Sequence, residues 1–536
     1  MPHMQDDFQL NLSTLYDRAV WLYPDQEIVS VEPDRSIVRT TYGETDTRVR
    51  RLASAMKTLG LGKGDVLGTF AWNNRRHHEL YWATANTGVI CHTLNIRLFA
   101  DQLDYIIKHA EDKVIFVDPD LVPLLAPIAK GLDNVEQYVV MGENADPALP
   151  GSIAYEDLIA DAPEHGKWER LDERSPLMFC YSSGTTGDPK GVVYTQRSTY
   201  LHTISNLANY PISASDNVMP VVPMFHASAW GYPYMAVTQG AKLTYPGPDL
   251  TPQGLVPLIQ NEKVTFSAGV PTVWTGIKLY LEANPEIKLS SIRAFLCGGS
   301  AVPRALIEWY YTVQGIRVVQ GWGMTETNPI ASVATLKPEM EDWDLQRQLD
   351  VMETAGMTIP GLEVKIVDEA GEELVHDGVA FGELLIRGPW IAAEYYNDPR
   401  SSESFVDGWL RTGDVCSISP LGYIKITDRA KDVIKSGGEW ISSLDLENLI
   451  MGHPGVAEAT VVGLKHVEWE ERPAAFVVAR EGVEITEQEI LDHLEGKVAK
   501  WWLPDRVVFI DEIPKTGTGK FDKKVVRNEY SELLMD

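Results

Sequence analysis

The chain has 536 residues, 44% hydrophobic and 23% charged, with 47 Lys and Arg against 76 Asp and Glu and a net charge of −29. That length exceeds one ordinary core and calls for at least two domains, and the acidic balance argues against nucleic acid as a partner, because phosphate backbones need basic surfaces. The four cysteines, Cys91, Cys180, Cys297 and Cys416, stand far apart with no CxxC pair, which argues against a zinc site or a disulfide framework and fits a reducing cytoplasm.

The N-terminus, MPHMQDDFQL, is acidic and polar and has no signal-peptide pattern. Residues 41–60 carry Val49, Leu52, Ala53, Met56 and Leu59 at helical spacing, with Gly60 as a stop, so a helix is expected there. Residues 65–71 read as a buried strand, 79–88 as a helix and 114–117 as a strand. Two short apolar runs, 176–180 and 191–194, read as strands flanking a polar loop. The alternation continues with strands at 218–222, 263–266, 294–296 and 317–320, which implies an α/β architecture with largely parallel sheets. After residue 355 the texture changes to strands at 363–367, 382–386 and 422–426 joined by Asp/Gly turns, a β-rich subdomain. A compact α+β unit follows, with helices at 443–451 and 486–500 and strands at 458–462 and 474–478. The boundary is expected near Asp428–Asp432. It divides an N-terminal domain, 1–430, of two α/β subdomains plus the β-rich one, from a small C-terminal domain, 431–536. No run of about 18 apolar residues occurs, so no membrane span is expected.

The loop between the paired strands, YSSGTTGDPKGVVYT (181–195), gathers hydroxyls, glycines and one cation. A Walker A loop requires Gly-Lys-Ser/Thr entering a helix; here Pro189 precedes Lys190 and a β-branched run follows. The composition suits phosphate binding without being a Walker A loop. Arg75-Arg-His-His-Glu79 lacks the spacing of a zinc hydrolase, and no G-x-S-x-G elbow occurs.

This loop resembles the phosphate-binding loop of the adenylate-forming superfamily, which contains acyl-CoA synthetases, peptide-synthetase adenylation domains and luciferases. Four more motifs stand in that family's order: Gly321-Trp-Gly-Met-Thr-Glu326, Gly408-Trp-Leu-Arg-Thr-Gly-Asp414, Asp428 to Gly438, and Pro514-Lys-Thr-Gly-Thr-Gly-Lys520. The resemblance covers residues 13 to 530 and implies an enzyme that uses ATP, Mg²⁺ and coenzyme A. It implies that Ser182, Ser183, Gly184, Thr185, Thr186, Gly187 and Lys190 hold the β- and γ-phosphates, with Thr185 and Glu326 serving the metal and Thr325 near the α-phosphate. It further implies that Gly298, Gly299, Ser300, Ala301 and Gly321, Trp322 and Gly323 wall the adenine pocket, and that Asp414 and Arg429 take the ribose. Lys520 matches the family's catalytic lysine, between carboxylate and α-phosphate, and Lys431 its hinge. Rotation of a mobile C-terminal domain about that hinge is then expected to bring Lys435, Ser436, Gly437 and Gly438 to a pantetheine tunnel.

On the acyl side, Pro223-Met-Phe-His-Ala-Ser-Ala-Trp-Gly231 resembles the acyl-pocket motif of fatty acyl-CoA synthetases. His226 is expected near the carboxylate, with Trp230, Gly231 and Trp322 shaping the pocket. Two indoles favour short or medium acids, and the surroundings resemble the branch containing bacterial 3-methylmercaptopropionate-CoA ligases. The expectation is a cytoplasmic, homodimeric acid–CoA ligase. A long-chain synthetase, a carrier-protein-loading or luciferase-like enzyme, and a non-catalytic nucleotide sensor stand as alternatives. A sensor is expected to have lost Lys520, Glu326 or Asp414, and all three are present.

Overall fold

The computed structural model describes residues 4–535 apart from 6, 183–187, 210–211, 430–431, 437–438 and 516–520. Two large sheets dominate the N-terminal part. One runs, in spatial order, Ile153–Ala154, Gln137–Val140, Asp112–Val117, Val66–Phe70, Ile90–Thr93, Pro176–Tyr181 and Gly191–Thr195. It is parallel except for the last pair, where Tyr181 faces Gly191 across an antiparallel hairpin. The other runs Met357–Thr358, Ile330–Val333, Arg317–Gly323, Ala294–Gly298, Phe266–Gly269, Asn217–Pro220, Lys242–Tyr245, Glu27–Val31 and Ile37–Thr41. Its inner strands are parallel.

The helix Arg75–Thr87 lies between these sheets, touching strands of both, and nearly every residue is buried. Asn74 caps it by accepting a hydrogen bond from the His77 N–H at 3.0 Å, so it starts four residues before the expected position. His77 and His78 are spent inside this layer, on Thr69 and Trp72 and on Tyr245. Arg48 bridges Glu79 and Glu156, and Arg76 bridges Glu32 and Glu156, tying the layer together with buried ion pairs.

The β-rich subdomain is a sheet of Glu363–Val367, Phe381–Arg387, Trp409–Ile418, Phe405–Val406 and Ile424–Arg429. The C-terminal unit is a separate sheet of Glu439–Ile441, Ile434–Ser436, Glu470–Ala479, Val456–His466 and Arg506–Phe509, backed by the helices Ser443–Met451 and Glu487–Leu494. Two further elements differ from the sequence reading. The strand expected at 263–266 lies at Phe266–Gly269, because Lys263 (φ 54°) ends the preceding helix in the left-handed region. The helix expected to reach 500 stops at Leu494, two residues before Gly496 at φ 77°. Among the described residues no helix is long and apolar enough to cross a membrane.

Candidate active site

The hairpin at the end of the seven-stranded sheet presents the polar loop. Its base is closed by the Ser182 N–H on the Lys190 carbonyl at 2.9 Å and the Lys190 N–H on Ser182 Oγ at 3.3 Å. The strand Arg317–Gly323 delivers the next motif at its C-terminal end, where parallel sheets present ligand groups. A single short turn, Thr325–Thr327, then aims Glu326 into the same space. Tyr194 donates to the Thr325 carbonyl at 2.7 Å and the Ala392 N–H to that of Glu326 at 2.8 Å. Ser182, Lys190, Thr325, Glu326, His226 and Trp230 all line one cavity of about 1040 Å³. Phe521 and Asp522, which follow Lys520, line it too.

Strand register builds the next piece. Asp414 lies directly opposite Arg429 in the antiparallel pair of the β-rich sheet. Arg429 Nε is 2.7 Å from Asp414 Oδ1, while Trp322 Nε1 donates to Oδ2 at 2.8 Å. Asp414 is buried, with two charge-assisted or polar donors fixing both oxygens. Asp414, Ser300 and Ala301 line a second cavity of about 940 Å³. Gly299, the run Gly321–Gly323 and Arg429 line both cavities and so form their common wall.

Trp230 sits on an unusual turn. Ala227, Ser228, Ala229 and Trp230 all have φ between 41° and 54°, and Gly231 follows at 80°. Left-handed backbone costs an L-residue roughly 1–2 kcal/mol, so four in a row require support. Ser228 Oγ is 3.2 Å from Cys180 Sγ beneath the turn. A Cβ on Gly231 would stand 3.0 Å from His202, whose Nε2 accepts from the Ile330 N–H at 3.2 Å. The Trp230 indole lies against the strand Ala294–Gly298: a Cβ on Gly298 would come within 3.5 Å of it and within 2.4 Å of the Gly321 carbonyl oxygen, so only glycine fits.

Ser183, Gly184, Thr185, Thr186, Gly187, Lys431, Gly437, Gly438 and Lys520 lie outside the described residues. Gly298 backs the wall, and Gly231 lies behind the turn; neither lines either of these two cavities. Lys435 stands apart from both cavities, its ammonium 3.7 Å from Glu369 of the β-rich subdomain. Around the domain crossing, Asp428 accepts from the Ser443 N–H at 2.9 Å. Lys523 reaches Glu447 at 2.8 Å and Arg527 reaches Asp432 at 3.0 Å. On either side of 516–520, Lys515 bridges Phe521 and the Asp522 N–H donates to the Pro514 carbonyl at 2.7 Å.

Sequence reading missed Tyr395. Its hydroxyl donates to Glu326 Oε1 at 2.7 Å, across 69 residues of chain. Burial, then the Glu326 charge, raise its pKa, so it stays a donor. Only an aromatic pair before an Asn-Asp-Pro turn marked the spot.

A divalent cation fits these residues. Among the described residues no group of three or more His, Cys, Asp or Glu could hold one alone. Glu326 is nearly buried, with one oxygen spent on Tyr395, leaving one carboxylate to which oxygens of a bound ligand would add, a donor set that suits Mg²⁺.

Two large sheets, a β-rich subdomain and a small C-terminal domain meeting over paired cavities define an adenylate-forming fold. An anthranilate CoA ligase in complex with anthranoyl-AMP shares it, with a TM-score of 0.88 over 100% of both chains at 24% identity. The model of the AMP-binding enzyme family matches residues 17–396, and that of the AMP-binding enzyme C-terminal domain matches 445–520. The chain belongs to the AMP-binding enzyme family. It is 43% identical to the 3-methylmercaptopropionyl-CoA ligase of Ruegeria lacuscaerulensis over 98% of each chain. It is also 43% identical to the long-chain-fatty-acid–CoA ligase of Thermus thermophilus, over 99% of this chain and 97% of that one.

Proposed function

We propose that the protein is an ATP-dependent acid–CoA ligase for short- to medium-chain carboxylic acids, 3-methylmercaptopropionate among them. The acid's carboxylate attacks the α-phosphate of ATP, pyrophosphate leaves, and the acyl group passes from AMP to the thiol of coenzyme A. In this reading Ser182 and Lys190 hold the departing phosphates, Asp414 and Arg429 fix the ribose, and the wall of Gly299, Gly321 and Gly323 faces the base. His226 and Trp322 bound the reacting carboxylate, and Trp230 closes the acyl end. Glu326 holds Mg²⁺, which when bound neutralises charge on the phosphates. Lys520 bridges carboxylate and α-phosphate, where developing negative charge needs a fixed cation. After adenylation the C-terminal domain turns about Lys431, and Lys435, Gly437 and Gly438 serve the pantetheine arm.

The observation that carries the reading is the common wall. Ser182, Lys190, Glu326 and the Trp230 indole line one cavity, which shares Gly299, Gly321, Trp322, Gly323 and Arg429 with the cavity lined by Asp414. Relatives for short and long acids are equally similar, so identity does not choose the acid; the indole against Gly298 and Gly299 favours the shorter one. The four cysteines are free and buried, which supports a reducing compartment, and the family likeness supports a homodimer. The test is AMP and pyrophosphate release with ATP, Mg²⁺ and coenzyme A across acetate, butyrate, 3-methylmercaptopropionate, octanoate, palmitate and benzoate. Acid-dependent AMP peaking at butyrate and 3-methylmercaptopropionate is expected. A peak at palmitate overturns the pocket reading, and AMP release indifferent to acid overturns the ligase.

A further inference from the structure

Lys190 and Glu326 come from motifs far apart in the chain, line one cavity, and make no ion pair with each other. An ammonium and a carboxylate free to move in a shared space close on one another. What separates them is Tyr395. The Lys190 ammonium sits 4.4 Å from the centroid of its ring, and its hydroxyl donates to Glu326 Oε1 at 2.7 Å. The ring is 5% exposed and packs edge-on to Phe405 at 5.1 Å. Its backbone N–H donates to Ser401 Oγ at 2.9 Å. The flanking backbone is tied to the same two motifs: the Ala392 N–H to the Glu326 carbonyl and the Tyr396 N–H to the Gly191 carbonyl, both at 2.8 Å.

We propose that Tyr395 is a positioning residue that keeps Lys190 and Glu326 apart and oriented, so that both remain open to the polyphosphate of ATP and its divalent cation. The ring face occupies the ammonium, and the phenol takes one carboxylate oxygen, leaving the other turned to the cavity. Without the spacer the two charges neutralise each other, and every incoming nucleotide has to break the pair. The inference rests on the reading of Lys190 and Glu326 as phosphate-end groups.

The test uses Tyr395→Phe and Tyr395→Leu beside Lys190→Ala and Glu326→Gln in the full chain, with melting temperatures as a check on folding. Binding of α,β-methylene ATP is measured by calorimetry in EDTA, and of Mn²⁺ to the protein–analogue complex by electron paramagnetic resonance. Tyr395→Phe should keep nucleotide affinity in EDTA and weaken Mn²⁺ about tenfold, the worth of a hydrogen bond to a charged group. Tyr395→Leu should also weaken the nucleotide in EDTA about fivefold, the scale of the ion pair that it lets Lys190 and Glu326 form. Adding Glu326→Gln to Tyr395→Leu should restore that affinity, because no carboxylate remains to capture Lys190. Wild-type binding by both Tyr395 variants, with Lys190→Ala and Glu326→Gln impaired, overturns the inference. Wild-type binding by Lys190→Ala and Glu326→Gln themselves overturns the phosphate-end reading instead.

Discussion

Replacing Asp414 by asparagine tests its proposed contact with the ribose with little change of shape. The carboxylate accepts from Arg429 Nε at 2.7 Å and Trp322 Nε1 at 2.8 Å. An amide has one acceptor atom, so turning its oxygen to the indole leaves its NH₂ facing the guanidinium, donor against donor. A hydrogen bond to a charged group is worth about 1.5–3 kcal/mol against about 1 for a neutral one. Weakened contacts to a ribose diol therefore cost about 1–2 kcal/mol of ATP binding, a rise of about 5- to 30-fold in the KM for ATP. The assay is pyrophosphate release against ATP at saturating acid, repeated against acid at saturating ATP, with a thermal melt alongside. The KM for ATP should rise while that for the acid stays within about twofold, the usual tolerance for a site not touched. A lowered melting temperature with an unchanged KM for ATP would mean that Asp414 only fastens two strands, and the ribose assignment would fall.

Trp230→Ala should lengthen the preferred acid: each methylene newly buried is worth about 0.8 kcal/mol, roughly fourfold in kcat/KM, and an unchanged chain-length profile would exclude Trp230 as the end wall. Lys520→Ala should lower adenylate formation about 10²-fold or more, as for loss of one key electrostatic group; near-normal pyrophosphate exchange would sink the assignment. Burial holds the His202 imidazole at a pKa of about 3 against its ordinary 6.5. The unfolded chain takes up that proton first, so stability is intact above pH 6.5 and declines as the pH falls toward 3. Urea unfolding of His202→Leu should therefore lose less stability per pH unit than the parent between pH 6.5 and 5, by up to about 1.4 kcal/mol per pH unit; equal slopes would assign the effect to other groups.

Elements with a local signature were legible from sequence. The helix Tyr42–Thr58 follows its apolar stripe, and Thr41 and Glu44 form the capping box that starts it. Asp414 and Arg429 were each marked by a motif, yet their pairing depends on a register between two strands of one hairpin-rich sheet. The rest needed tertiary information. Ala227, Ser228, Ala229 and Trp230 have no preference for left-handed backbone, and only Gly231 hints at it, so packing on Cys180 and His202 decides that turn. Val264 and Thr265 drew the strand too early, because β-branched residues look alike whether they end a helix connection or enter a sheet. Tyr395 reaches Glu326 across 69 residues, and no local pattern encodes such a meeting.

The short bridge from Lys515 to Phe521 carries a thermodynamic consequence. A lysine on a long floppy tail would reach the cavity as a dilute reagent, losing chain entropy on each visit. Here the described residues on either side of 516–520 are fastened: Lys515 bridges Phe521 and meets Glu458 at 2.7 Å, and Lys523 meets Glu447. That fastening is made when the C-terminal domain folds, not at each turnover, so under the role proposed for Lys520 its local concentration at the α-phosphate would be a property of domain orientation. Under that proposal the reagent would be delivered or withdrawn as one body, and withdrawing it after adenylation would vacate the approach that a thiol needs.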